Sequence, residues 1–260
     1  MRYLRLLRLF ASNSLQLDLE YRADFLINVG TAVISLGAGW IVLDVMFTHA
    51  ESFGGWSFLE ALALFGIYLI FEELIYGVLT LNLSRLPQLI QSGDLDFLLL
   101  KPVNSQFQVS LRRLPLVSLP TGLFGLGILV YAALDLGTLT AANALLTAML
   151  FMSGVVIIYA LWVMLLTTAF WFVKVENITE IFNAFFAAGR FPVSAFPSWV
   201  RFILTFIVPI AFITTVPASA AVGRLTWPMA LASLAIAGVL LGLSHLFWRF
   251  ALANYTSASS

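Results

Sequence analysis

Long stretches without a charged side chain are the feature that most constrains how this chain can fold. Residues 136–173 contain no aspartate, glutamate, lysine or arginine, and residues 25–43 and 114–134 contain none either. A helix needs about 20 mostly apolar residues to cross the hydrocarbon core of a bilayer. Because 61% of the 260 residues are hydrophobic and only 10% are charged, the sequence predicts an all-α polytopic membrane protein.

Five membrane-crossing helices follow directly from the hydropathy pattern. We place them at about residues 25–48, 58–82, 114–134, 144–173 and 226–248. The charge-free stretch that begins at residue 136 is too long for one straight crossing. We therefore expect residues 135–143 to form a loop before the fourth helix.

The distribution of lysine and arginine predicts the orientation, since both residues favour the cytoplasmic side. If the N-terminus lies inside, the loops 49–57 and 135–143 are external, and neither contains a lysine or arginine. The basic residues that would then be cytoplasmic are Arg2, Arg5, Arg8, Arg22, Arg85, Lys101, Arg112, Arg113 and Lys174. Arg249 places the C-terminus inside as well, so the number of crossings should be even.

The sixth crossing must come from the region before the last helix, and two interpretations remain open. In the first, the chain crosses at about 176–195 and then forms a re-entrant helical hairpin at 197–222. Proline removes helix hydrogen bonds, and broken backbone at membrane depth must be shielded or face water. The prolines at issue are Pro197, Pro209 and Pro217. In the second, an interfacial helix at 177–192 precedes a kinked span at 199–222.

The segment before the first span has the pattern of an amphipathic helix. Residues 1–22 place apolar side chains on one broad face and Arg2, Arg5 and Arg8 close together on another at 100° per residue. A basic helix of this kind lies along the inner membrane surface. We therefore expect an interfacial helix before the first span.

The loop at 83–113 contains the sequence SGDLDFLLLKPVN, which is too charged for a bilayer and too apolar for a fully solvated loop. Pro87 suits the first turn of a helix, and Gly93 suits the end of one. Asp94 could cap a second short helix, with Leu95, Leu98 and Leu99 on one side. This pattern fits either a helix that docks on another protein or one that rests on lipid headgroups.

Two runs of this sequence resemble a known family. LPQLIQSGDLDFLLLKPVNSQF, residues 86–107, resembles the cytoplasmic loop of type-2 ABC exporter permeases, a bacterial family that includes viologen-exporter-like members. Gly93, Asp96, Lys101, Pro102 and Asn104 carry this resemblance together. The run at 189–223 is similar, more loosely, to the stretch near the fifth span of the same superfamily.

The resemblance implies that residues 1–260 form one permease domain in the bacterial inner membrane, with six transmembrane helices. It implies that the loop holds a coupling helix, which inserts into a groove on an ATPase subunit. The residues that match this element are Gly93, Asp94, Leu95, Asp96, Leu98, Leu99, Lys101 and Pro102. A second permease subunit, identical or related, would complete the pathway.

The same resemblance implies that this chain is not an enzyme. The sequence has no G-x-x-x-x-G-K-[ST] motif for ATP phosphates. We expect ATP and magnesium to bind to a separate ATPase dimer, and we expect no cofactor, metal or nucleic acid to bind to this chain.

Glu72 and Glu73 lie inside the second predicted span, where ionisable groups usually face a bundle interior or a water-filled cavity. One interpretation is that they line a substrate pathway and attract cationic organic cargo. The others are that they pair with polar groups of another helix, or that they lie nearer an aqueous surface.

Two other classes of function fit the sequence less well. A stand-alone secondary transporter often shows internal repeats with paired broken helices, whereas this chain has one broken segment and no convincing repeat. An intramembrane hydrolase would need a nucleophile with a base in reach. The histidines, His49 and His245, fall on opposite sides of the predicted membrane.

Overall fold

The computed structural model describes residues 2–20, 22–113, 119–172 and 176–255, and these residues form helices and connecting turns without a β-strand. The α-helices are α1 (Arg2–Glu20), α2 (Arg22–Thr48), α3 (Phe58–Glu73), α4 (Leu81–Leu83), α5 (Leu86–Gln91), α6 (Asp94–Leu99), α7 (Ser105–Ser110), α8 (Leu119–Asp135), α9 (Ala141–Thr167), α10 (Glu176–Ala187), α11 (Ser198–Phe202), α12 (Val216–Ala221) and α13 (Trp227–Ala253). Segments of π-helix cover Leu74–Thr80, Ile203–Ile207 and Ala211–Thr215, and 3₁₀ turns cover Thr168–Phe170, Ala188–Arg190 and Val193–Ala195.

Among the described residues, four helical segments are long and apolar enough to cross a membrane: Leu26–Thr48, Phe58–Gln91, Ala141–Phe170 and Trp227–Ala253. A fifth results if the bent pair Ser198–Ile207 and Ala211–Ala221 counts as one span. The all-helical membrane fold is therefore confirmed. Part of the predicted third span, residues 114–118, lies outside the described residues, and the described remainder is the 17-residue helix α8. The sixth crossing stays a prediction.

α3 forms the centre of the fold, and its residues 61–69 are almost entirely buried. It touches α8 backbone to backbone, because a Cβ atom on Gly66 would lie 2.6 Å from the carbonyl oxygen of Gly125. The reverse also holds, since a Cβ atom on Gly125 would lie 2.7 Å from the Gly66 oxygen. Small residues allow membrane helices this close approach, so any side chain at either position would push the two helices apart.

α9 connects the C-terminal half of the fold. A buried serine pair joins it to α13, with Ser153 Oγ 2.8 Å from Ser233 Oγ and 2.9 Å from the Ser233 carbonyl oxygen. On another side, a Cβ atom on Gly154 would lie 3.1 Å from the carbonyl oxygen of Ile213. The bent pair therefore packs directly on the backbone of α9.

The two ends of the bent pair meet the same turn, the one between α2 and α3. Before the pair, Ser194 Oγ donates to the carbonyl oxygen of Gly54 at 2.6 Å. After it, Arg224 Nη1 donates to the carbonyl oxygen of Gly55 at 2.7 Å. The pair itself is bent by 79°, so the chain enters and leaves it at the same end of the molecule.

The segment α10 runs beside α3 and α9 but is short. Phe186 stacks on Tyr68 of α3 with ring centroids 5.0 Å apart, and Phe182 meets Trp162 of α9 edge-on at 5.1 Å. The α-helix has 12 residues, and the chain continues towards Ala195 in short 3₁₀ turns. Residues 176–195 therefore do not form one continuous regular helix.

The N-terminal residues form a helix, as predicted, over Arg2–Glu20. Its first described aromatic side chain, Tyr3, meets Phe107 of α7 edge-on, with ring centroids 5.0 Å apart. Arg5 and Arg8 are exposed. Met1 and Tyr21, the two remaining positions within 1–21, lie outside the described residues.

Candidate coupling segment and intramembrane polar site

The loop between α4 and α8 contains the two short helices that the sequence predicts. Pro87 lies in the first turn of α5. Gly93 separates α5 from α6 with a φ of +76°, a left-handed conformation that glycine adopts at little cost. We call residues 86–102, which include both helices and this bend, the coupling segment.

The capping role predicted for Asp94 is wrong. The N-cap position of α6 is Gly93, and Asp94 is the first helical residue. The hydroxyl of Ser92 donates to Asp94 Oδ2 at 2.8 Å and accepts from the Asp94 backbone N–H at 3.4 Å. Because the left-handed glycine both ends α5 and starts α6, no extended residue is left to supply a side-chain cap.

The apolar face of α6 is divided between the protein's interior and its surface. Leu95 is fully buried and Leu98 is 6% exposed, so both face the core of this chain and not a partner. The exposed apolar side chains are instead Phe97 (68%), Leu100 (80%) and, less fully, Leu99 (38%). Of the predicted docking residues Leu95, Leu98 and Leu99, the first two are therefore wrong. The exposed face consists of Phe97, Leu99 and Leu100.

The charged and turn residues of the coupling segment surround this exposed face. Asp94, Lys101 and Pro102 are exposed, and Asp96 is half-buried. Asn104 then caps α7, because its side-chain oxygen accepts from the backbone N–H of Phe107 at 3.1 Å.

Polar contacts fix α7 to a long helix of the membrane region. Gln106 Nε2 donates to the hydroxyl of Tyr159 on α9 at 3.2 Å, and the same hydroxyl lies 3.1 Å from Ser110 Oγ. Gln106 and Ser110 are both buried. The α7–α9 contact therefore depends on specific hydrogen bonds in the interior.

The same helix α7 is also tied to α13. Trp248 Nε1 donates to Ser105 Oγ at 3.2 Å, and His245 Nδ1 lies 3.3 Å from Gln106 Oε1. A displacement of α7 would therefore strain hydrogen bonds to both α9 and α13.

A second polar group lies near the C-terminal end of α3 and involves Glu72, as the sequence suggested. Tyr68 donates its hydroxyl proton to Glu72 Oε1 at 2.9 Å, and Arg190 Nη2 donates to the Tyr68 hydroxyl at 3.3 Å. The Arg190 guanidinium carbon also lies 5.2 Å from the centroid of the Tyr68 ring, within the range of a cation–π contact. Tyr68, Glu72 and Arg190 form what we call the polar triad.

Glu73 faces a different neighbour. A Cβ atom on Gly122 of α8 would lie 3.4 Å from Glu73 Cγ. The two adjacent carboxylates thus approach different helices, as their 100° separation on a helix requires. Directly after them α3 changes to a π-helix at Leu74, an irregularity that often marks functional sites.

Two cavities open beside the polar triad. One, of about 210 Å³, is lined by Tyr68, Glu72 and Arg190 together with Ser35 of α2. The other, of about 320 Å³, is lined by Glu72, Glu73, Ser35 and further polar residues of α2, namely Asn28 and Thr31. Glu72 and Ser35 therefore lie between the two cavities, which α2 closes on one side.

Sequence reasoning found the carboxylates but missed Tyr68 and Arg190. The two are 122 positions apart, and the arginine lies in a segment that the sequence assigned to a crossing. A lone arginine in an otherwise apolar stretch was the one signal that could have pointed to it, because such a charge needs a partner. In the part of the chain that is described, no group of three or more His, Cys, Asp or Glu side chains could hold a metal ion.

A family model described as "ABC-2 family transporter protein" matches residues 33–259. The chain belongs to the ABC-2 transporter family. No curated protein and no solved structure matched it.

Membership makes the chain an ABC-type permease, a multi-pass membrane component of a transport system. The match confirms that the resemblance of the coupling segment pointed to the right family, the ABC-2 transporters. ABC-2 permeases as a family work with an ABC ATPase, and the permease itself is not the catalytic component. The match covers both the coupling segment and the polar triad, so both lie within the family domain.

Proposed function

We propose that this permease is the transmembrane subunit of an ATP-driven exporter, powered by a separate ATPase dimer on the cytoplasmic side. The observation that carries the proposal is the exposed apolar face of α6, formed by Phe97, Leu99 and Leu100. This face lies just before α7, which is hydrogen-bonded to the membrane helices. Large apolar side chains on a charged, solvent-facing segment mark an interaction site. The ATPase groove would cover them.

Motion of the ATPase reaches the membrane through α7. The bonds of Gln106 and Ser110 to Tyr159 join α7 to α9, and the bond of Trp248 to Ser105 joins it to α13. When ATP closes the two ATPase subunits, the coupling segments move with them, and the permease shifts between inward-open and outward-open packings. Such a shift requires that the ATP-bound ATPase binds one packing more tightly than the other.

Six crossings with both termini in the cytoplasm fit this arrangement. The bent pair then serves as a re-entrant hairpin, because Ser194 before it and Arg224 after it contact adjacent glycines of one turn. A single kinked span would place those two residues on opposite sides of the membrane. The sixth crossing is the segment from α10 to Ala195, part helix and part 3₁₀ turn.

The substrate pathway lies along α2 and α3, beside the polar triad. Glu72 and Glu73 line a cavity with Asn28 and Thr31 of α2, and polar groups of this kind at membrane depth suit a water-filled passage. Two carboxylates favour a cationic, amphiphilic organic substrate. A second permease subunit, identical or related, would cover the exposed side of α2 and complete the passage.

The experiment that tests the proposal is reconstitution of the permease into vesicles with and without the ATPase that copurifies with it. ATP-dependent movement of a fluorescent organic cation should need both proteins. Movement driven by an ion gradient in the absence of the ATPase would show a stand-alone secondary transporter instead.

A further inference from the structure

Three arginines from two separate segments meet at the end of the long helix that begins with α3. Arg85 follows α4 and immediately precedes α5, while Arg112 and Arg113 follow α7. α4 packs against α7, so the three guanidinium groups belong to adjoining segments. We call these three residues the arginine cluster.

A buried asparagine holds the two segments of the arginine cluster together. Asn82 is 5% exposed, and its Nδ2 donates to the carbonyl oxygens of Val78 at 2.8 Å and Arg113 at 2.7 Å. Its Oδ1 accepts from the Arg113 backbone N–H at 2.7 Å. The amide thus holds the Arg112–Arg113 backbone against α4, one helical turn from Arg85.

The cluster gathers positive charge, and no ion pair with a carboxylate balances it among the residues that the structure describes. Within the described residues, the one ion pair joins Arg224 to Glu60, at the opposite end of α3. Arg85 and Arg112 are exposed and Arg113 is half-buried. Like charges held together repel each other, so an external anion that reaches all three would be bound favourably.

We infer that the arginine cluster binds the phosphate of an anionic phospholipid headgroup. The planar guanidinium with its five N–H donors matches the oxygens of a phosphate. The cytoplasmic leaflet is anionic, and basic pockets between membrane helices bind its headgroups. A lipid is favoured over free phosphate because Arg85 lies near the end of the candidate membrane span Phe58–Gln91.

The next described helix offers surface for the acyl chains of such a lipid. α8 begins at Leu119, which is 47% exposed, and Leu123 one turn later is 64% exposed. The headgroup would lie at Arg85, where the coupling segment begins. This inference goes beyond the proposed function and rests on its cytoplasmic placement of this loop, but not on the ATPase or the substrate.

The test compares lipid binding by the complete purified permease and by a variant with Arg85→Gln, Arg112→Gln and Arg113→Gln. Native mass spectrometry counts bound dioleoylphosphatidylglycerol and dioleoylphosphatidylcholine as each is titrated. We expect the natural protein to prefer the anionic lipid roughly tenfold and the variant to lose most of that preference. The matched control, Lys101→Gln with Arg201→Gln and Arg249→Gln, removes the same charge from exposed positions and should keep it.

An unchanged preference in the cluster variant, or an equal loss in the control, would overturn the site. Displacement of the lipid by millimolar inorganic phosphate would show that free phosphate is the ligand and would overturn the lipid assignment. If the triple variant does not fold, the single variant Arg112→Gln is tested instead. It should lower the preference severalfold, and an unaltered preference contradicts the inference.

Discussion

Gln106 Nε2 lies 3.2 Å from the hydroxyl of Tyr159 and joins α7 to α9. Tyr159 also bonds to Ser110 at 3.1 Å, so one hydroxyl holds both ends of α7. The coupling segment is therefore attached to a long membrane helix through its neighbour in sequence. In the proposed function, this attachment would transmit motion of the ATPase to the membrane region.

Replacing Tyr159 by phenylalanine should weaken coupling while leaving ATPase binding intact. The change removes the hydroxyl bonded to Gln106 and Ser110 and should cost about 1 kcal/mol of stability, because interhelical hydrogen bonds in membranes contribute roughly that much. We expect a lower ratio of transport to ATP hydrolysis in reconstituted vesicles. The control is Tyr131→Phe, whose ring is 52% exposed, and equal ratios in the two variants would show that the α7–α9 contact carries no motion.

Replacing both Phe97 and Leu100 by aspartate should abolish ATPase recruitment without unfolding the permease. Both side chains are largely exposed, so the new charges stay in water when the permease is alone but would be desolvated in an ATPase groove. Copurification of the ATPase measures the effect. The control, Gln88→Asp with Gln91→Asp, adds two charges at exposed positions of α5; if it releases the ATPase as completely, α6 is not the specific contact.

The sequence alone would have chosen a less informative pair, Leu98 and Leu99. Aspartate at Leu98 would bury a carboxylate in the core, because Leu98 is 6% exposed. We expect that variant to be partly unfolded. A loss of ATPase binding would then reflect unfolding of the permease and not the loss of a docking contact.

Neutralising Glu72 and Glu73 with glutamine should reduce export of cationic cargo severalfold. Glutamine keeps an oxygen that can accept the Tyr68 hydroxyl proton, so the polar triad can persist while the charge is lost. Uptake of a fluorescent organic cation into inside-out vesicles measures the change. Asp44→Asn with Glu51→Gln, two exposed positions, is the matched control, and full transport by the Glu72 and Glu73 variant would exclude the pathway role.

The re-entrant hairpin can be tested with single cysteines, because the natural chain contains none. Ser198 is the first residue of the bent pair, and Thr226 follows its end. Cysteines at these two positions should both react with a membrane-impermeant maleimide added from outside. A cysteine at Ser92 should react only from inside. Labelling of the Ser198 and Thr226 positions from opposite sides would show a kinked span.

Local turn chemistry could be predicted from the sequence because it depends on neighbouring residues. Pro87 lies in the first turn of α5 as expected, because proline fixes the backbone angle φ at a helical value. Gly93 follows the end of α5 as expected, because glycine adopts a positive φ at little cost. The loop before α9 was likewise predicted, and the helix begins at Ala141 after Thr140 caps it.

Contacts between distant segments could not be predicted in the same way. The pattern of Leu95 and Leu98 shows an apolar face but not whether that face meets this chain or a partner. The Arg190–Tyr68 bond joins residues 122 positions apart, and nothing in either local sequence specifies the other. The same holds for Asn82 and Arg113, which are 31 positions apart.

The proposed function depends on an ATPase that binds the coupling segment and moves the permease. The most direct measurement is the subunit composition and ATP hydrolysis of the complex that a tag on this chain isolates from its native membranes. We expect an ABC ATPase that hydrolyses ATP, in equal molar amount with the permease. It should be lost from the Phe97→Asp, Leu100→Asp variant. A fully active preparation that contains no nucleotide-hydrolysing protein would contradict the proposed function.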